Sequence, residues 1–96
     1  MRLAWSPPAM RDRVAIYDYV DGDSPSAAAD LDDRLMQRIE GLLDFPMSGR
    51  AGRVEDTREL VVTGTPYVVV YSVRDDTIRI LRILHGAQRW PDDAEP

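Results

Sequence analysis

Apolar positions follow two different rhythms along this chain. Between residues 9 and 44 they recur every three or four places; between 58 and 85 they alternate or run together. The first rhythm predicts helices and the second strands. A short apolar run, Arg2 to Trp5, comes first and predicts an N-terminal strand. Ser6 is then a candidate N-cap, and Pro7 suits the first helical position. A helix is expected from Ala9 to about Val20. On a helical wheel Ala9, Met10, Val14, Ile16, Tyr17 and Val20 share one broad face, with Arg11, Ala15 and Asp18 opposite. Arg13 falls inside the apolar face. Its stem can snorkel to the core edge, or its head can await a partner's acid.

Asp21-Gly22-Asp23 ends this helix and Ser24-Pro25 repeats the start signal. The second helix is expected from Ser26 to about Asp44, with a core stripe of Ala28, Leu31, Leu35, Ile39 and Leu42, and Pro46 stops it. The short connection favours an antiparallel helical hairpin. Met47 to Asp56 reads as a loop around Gly49 and Gly52. Strands are expected at Arg58–Val62, Tyr67–Val73 and Ile78–His85, separated by turns at 63–66 and 74–77. Tyr67, Val69, Tyr71 and Val73 form a core-facing row. On the last strand Ile78, Ile80, Arg82 and Leu84 share one face, and Arg79, Leu81, Ile83 and His85 the other. Both faces are largely apolar, which suits a central strand. Trp90 reads as a plug against the sheet or helices. The fold class is therefore α+β, in the order β-α-α-β-β-β: a helical hairpin packed on a mainly antiparallel sheet. Residues 1–91 make one domain, followed by a disordered acidic tail, 92–96.

Composition narrows the chemistry. The chain has 96 residues, no cysteine and one histidine. Disulfides, thiolate zinc sites and histidine-rich metal sites are excluded, and no cofactor or metal is expected. No leader or long apolar span is visible, so the expected compartment is the cytoplasm, with no membrane partner. Net charge is −5, unevenly spread: residues 1–47 hold five Arg against nine acids, and residues 48–91 hold seven Arg against five. All twelve basic residues are Arg. No side-chain amine is available as nucleophile or base, whereas guanidinium groups can fork onto carboxylate or phosphate. A local arginine patch for a macromolecular partner is expected at Arg50, Arg53, Arg58, Arg79 and Arg82, with Arg13 beside it; the alternative for Arg50, Arg53 and Arg58 is internal pairing with nearby Glu55, Asp56 or Glu59.

In order and spacing, these residues resemble the RelE/ParE superfamily of toxins from bacterial type II toxin–antitoxin systems. The carriers are Trp5-Ser6-Pro7 with Ala9, Ile16, Tyr19-Val20, Ser24-Pro25, Phe45-Pro46, Gly49-Arg50, Thr57 to Val61, Pro66-Tyr67, Tyr71, Ile80-Leu81-Arg82 and His85-Gly86-Ala87. The resemblance implies a small toxin neutralised by an antitoxin wrapped over its surface, one with a ParD-like ribbon-helix-helix domain. It also implies two possible activities. RelE-like members enter the ribosome and cleave mRNA, whereas ParE-like members inhibit DNA gyrase.

RNA cleavage needs a base for the 2′-OH, charge stabilisation for the phosphorane and an acid for the leaving oxygen. Several ribonuclease members carry an arginine where this chain has Val68, and some use lysines, which it lacks. For a nuclease there remain His85, Arg82 and Arg58, with Arg50 and Glu59 in support. A regular strand would aim His85 and Arg82 to opposite faces unless a bulge intervenes. The leading expectation is a ParE-like toxin acting by protein binding on DNA gyrase. The runner-up is a ribosome-dependent mRNA endonuclease. A third reading is a degenerate toxin retained for operon autoregulation. The groove beside the hairpin and sheet is the expected antitoxin dock, with Arg13 at or near its edge.

Overall fold

The computed structural model describes residues 1–86 and 88–91. Ala87 and the acidic tail expected to be disordered lie outside the described residues. The elements run β1 (Arg2–Trp5), α1 (Pro7–Asp21), α2 (Pro25–Glu40), a 3-10 turn at Gly41–Leu43, β2 (Arg50–Ala51), β3 (Arg58–Val61), β4 (Tyr67–Arg74) and β5 (Thr77–His85). Both helices start as the sequence predicts. Ser6 Oγ accepts from the Ala9 N–H at 3.1 Å and Ser24 Oγ from the Ala27 N–H at 3.2 Å. A proline follows each cap, where the missing N–H costs nothing.

The strands form one five-stranded sheet in the order β1-β5-β4-β3-β2. The pairing of β1 with β5 is parallel and the others are antiparallel. β5 thus lies inside the sheet, as its two apolar faces predict. Asp75 and Asp76 both take positive φ, 51° and 61°, and join β4 to β5 in a tight two-residue turn whose twist matches the strands. The core lies between the hairpin and one sheet face. Leu35, Ile39 and Leu42 from the second helix and its turn meet Leu60, Val69, Tyr71, Ile78, Ile80 and Ile83.

Three local features depart from the sequence reading. First, β2 stands inside the expected loop. Arg50 and Ala51 pair with Glu59 and Arg58, a ladder too short to leave an alternating pattern. Second, α1 is rotated from its expected face. Ala9 is its one buried residue and Ile16 is half-buried, while Met10, Val14 and Tyr17 are 50%, 59% and 37% exposed. The inward positions near Ala9 are shared with Asp12 and Arg13, whose charges are paired internally, as described below. Third, β5 is bulged. Val70 pairs with Arg82 but Tyr71 with Ile80, leaving Leu81 as the extra residue. Past it the alternation reverses, and Ile83, not Arg82, joins Ile78 and Ile80 in the core.

Candidate functional site

Where β1 ends at Trp5, α1 takes over as the cover for β5. The Ser6 N–H donates to Ile80 O at 2.9 Å and Ser6 Oγ donates to Leu81 O at 2.8 Å. Nearly two turns on, Asp12 Oδ2 accepts from the Ile83 N–H at 2.9 Å. The same carboxylate holds Arg82 in a fork: Nε to Oδ2 at 2.7 Å and Nη2 to Oδ1 at 3.1 Å. Arg82 also sits 5.9 Å from the centre of the Trp90 ring, within reach of a cation–π contact.

Most of the other candidate arginines are also engaged. Arg13 forks onto Asp32 of α2, with Nε–Oδ1 and Nη2–Oδ2 both 2.9 Å, and lies 5.8 Å from the Trp5 ring centre. The hydrogen bond from Arg13 holds the Asp32 carboxyl below its ordinary range, and Arg13 is raised in turn. The acid that Arg13 meets within the chain is on the next helix. Arg53 gives its backbone N–H to Glu59 Oε2 at 2.8 Å and its Nε at 3.1 Å, while Arg50 Nη2 reaches Oε1 at 3.4 Å. The Glu59 side chain is only 1% exposed. Burial pushes its carboxyl up, but the bonds from Arg53 and Arg50 outweigh this and hold it below the ordinary value. Arg58 serves the backbone, with Nη1 donating to Gly49 O at 2.8 Å. Arg79 is exposed on β5, and its side chain makes no hydrogen bond or ion pair among the described residues.

His85 is exposed at the end of β5. Its ring meets the Tyr67 ring edge-on, with centroids 5.9 Å apart. Both line a groove of about 650 Å³ between the hairpin and the sheet, with Ile16, Tyr19, Leu31 and Ile83 on its walls. Burial raises the Tyr67 phenol, and the nearby Tyr19 adds to the effect, so Tyr67 is no base at neutral pH. Arg82 lines a different cavity, of about 730 Å³, with Arg11, Arg79, Leu81 and Trp90. Asp12 stands between the two cavities and touches both. The bulge therefore does not bring His85 and Arg82 to one pocket. Arg58 lines neither, and Val68, where the ribonuclease pattern has arginine, is buried opposite Leu84. Arg13 lines neither cavity as well. It borders a smaller depression on the outer side of α1, beside Met10, Val14 and Tyr17.

Among the described residues no three His, Cys, Asp or Glu side chains cluster as metal ligands, and no helix is long and apolar enough to cross a membrane. Asp12 and Asp32, central to this geometry, are unremarkable in the sequence. Only the fold brings them to their arginines.

A family model described as the ParE toxin of the type II toxin–antitoxin system parDE matches residues 3–90. Y4kP of Sinorhizobium fredii, named as a candidate toxin, is 38% identical over 90 residues, spanning 94% of this chain and 93% of that protein. Toxin RelE2 of Caulobacter vibrioides is 38% identical over 87 residues, or 91% and 97% of the two chains. Among solved structures, a chain of the chromosomal ParDE system from P. aeruginosa aligns with a TM-score of 0.79 at 30% identity, covering 88% of this chain and 95% of that one.

Proposed function

The chain belongs to the ParE toxin family of type II toxin–antitoxin systems, and from that premise we propose that it inhibits growth by binding DNA gyrase, without chemistry of its own. A cognate antitoxin with a ParD-like ribbon-helix-helix domain would hold it inactive. One observation carries the non-catalytic reading: Arg82 is forked onto Asp12 and lines a cavity other than the one beside His85. Phosphodiester cleavage needs a proton donor and a charge stabiliser on the same phosphate. Here the one imidazole stands with Tyr19 and Tyr67, and no guanidinium of the described residues lines its groove.

The groove between hairpin and sheet suits an antitoxin helix. Its walls are chiefly apolar, and it offers Tyr19, 78% exposed, as an aromatic anchor. The exposed Met10, Val14 and Tyr17 on α1 would extend that surface. The ribosome-dependent endonuclease remains the rival because His85 lines a ligand-sized groove.

Expression without the antitoxin tests this reading. Loss of supercoiling, DNA-damage signalling and filamentous cells, with mRNA intact, is the expected outcome. Codon-phased cuts in translated mRNA would replace it with the endonuclease. Absence of any growth defect would favour a degenerate toxin that acts only on its operon.

A further inference from the structure

We propose that the sheet face turned away from the helices, at the end bearing Arg2, Arg74 and Arg79, binds the phosphate backbone of duplex nucleic acid. This goes beyond the toxin reading and holds whichever target the toxin acts on.

The register builds the face. Arg2 pairs with Thr77 and Ala4 with Arg79 across β1 and β5; Arg74 pairs with Thr77 and Ser72 with Arg79 across β4 and β5. Directly paired residues project to one side of a sheet. The alternate positions Leu3, Val73 and Ile78 belong to the core on the other side. Three arginines and two hydroxyls therefore share one solvent-facing surface over three adjacent strands. Neighbouring strands lie about 4.8 Å apart, and residues two apart on a strand about 6.6 Å. The arginines thus stand roughly 7–10 Å from one another at the backbone.

These side chains are not spoken for. Among the described residues Arg2 Nε donates to Thr77 Oγ1 alone, at 3.2 Å. Arg74 and Arg79 are exposed, and their side chains make no hydrogen bond or ion pair among the described residues. A shallow groove of about 520 Å³ runs among them, with Asp75 as its one acidic lining residue. The contrast with Arg13, Arg50, Arg53 and Arg82 is instructive. In a chain with 17 acids to 12 arginines, acids are plentiful, yet this face has been left almost free of them.

The chemistry favours phosphate over a peptide carboxylate. The surface presents guanidinium and hydroxyl donors with Ala4 as its one apolar paired residue, so an amphipathic acidic peptide would bury little there. Its paired positions on β1, β4 and β5 include no aromatic side chain on which an unpaired base could stack, which disfavours single strands. What fits is a duplex backbone, gripped without reading its bases.

Fluorescence anisotropy of the full chain with a labelled random-sequence DNA duplex tests this. With three phosphates contacted, affinity is expected to fall about 40-fold between 50 and 200 mM salt. Arg74→Gln and Arg79→Gln should each cut that fall to about 12-fold, as one contact is lost. Arg34→Gln, on the helical side of the sheet, should leave affinity and salt dependence unchanged. All three side chains are exposed, so melting curves should match wild type. Absence of salt-dependent binding at 50 mM, or an equal loss in Arg34→Gln, would overturn the proposal. Displacement by polyglutamate as readily as by unlabelled duplex would transfer the face to an acidic peptide.

Discussion

Asp12 and Arg82, seventy residues apart in the chain, are joined by two hydrogen bonds of 2.7 and 3.1 Å, and the same carboxylate accepts the Ile83 N–H. One side chain thus covers the strand edge that β1 leaves open and immobilises the guanidinium beside it. Asp12→Ala removes both partners at once. A loss of about 2–4 kcal/mol is expected in urea unfolding, because a largely buried guanidinium loses its forked carboxylate and an edge amide loses its acceptor. Asp12→Asn, which keeps one acceptor oxygen, should lose less.

Glu59 makes stability depend on acid. Its carboxyl titrates below the ordinary 4.5 in the folded chain, so the folded state favours the ionised form. That contribution is complete above the unfolded value and is lost as pH falls through the lower folded value. Stability should therefore decline below about pH 4.5, and Glu59→Gln should flatten the decline in that window. At neutral pH the same variant should cost about 1–3 kcal/mol, measurable by denaturant titration.

Tyr71 ties the central strand to the loop after α2. Its hydroxyl donates to Pro46 O at 2.8 Å and accepts from the Gly49 N–H at 2.9 Å. Tyr71→Phe should cost about 1–3 kcal/mol through two stranded backbone groups, and amide exchange at Gly49 should accelerate. Gly49→Ala should be at least as harmful, since a Cβ there would stand 2.7 Å from the Tyr71 ring.

His85→Ala separates the two mechanisms. Full growth arrest in cells expressing the variant is expected if binding alone is toxic. A loss of 100-fold or more in potency would assign the imidazole to proton transfer.

Val14→Asp probes the outer face of α1. The side chain is 59% exposed, so thermal stability should hold while antitoxin affinity drops about tenfold or more by titration calorimetry. Unchanged affinity would confine the antitoxin to the groove beside Tyr67 and His85.

Local patterns made much of this legible. The Ser-Pro starts, the stripe from Ala28 to Leu42 and the row Tyr67–Val73 each report chemistry acting within a few residues, and the elements stand where they predict. What was not legible depends on distant chain. The face of α1 is set by Asp12 and Arg13 finding Arg82 and Asp32, and amphipathic periodicity carries no record of such partners. The bulge at Leu81 shifts everything after it by one residue, yet Ile80-Leu81-Arg82-Ile83 looks like regular strand. The arginine-rich stretch was visible, and so was local pairing with Glu59 as one option for Arg50 and Arg53, but the distant partners of Arg13 and Arg82 were not. Of the face that stays free, Arg2 lies outside that stretch, and Arg74, inside it, was not among the arginines singled out.

The first strand finds its neighbour only in the last. Because β1 pairs with β5, a nascent chain emerging from the ribosome leaves β1 and α1 without the strand they pack on until residues 77–85 arrive, and such non-local closure is slow. A prematurely terminated product would be a fragment without a finished sheet.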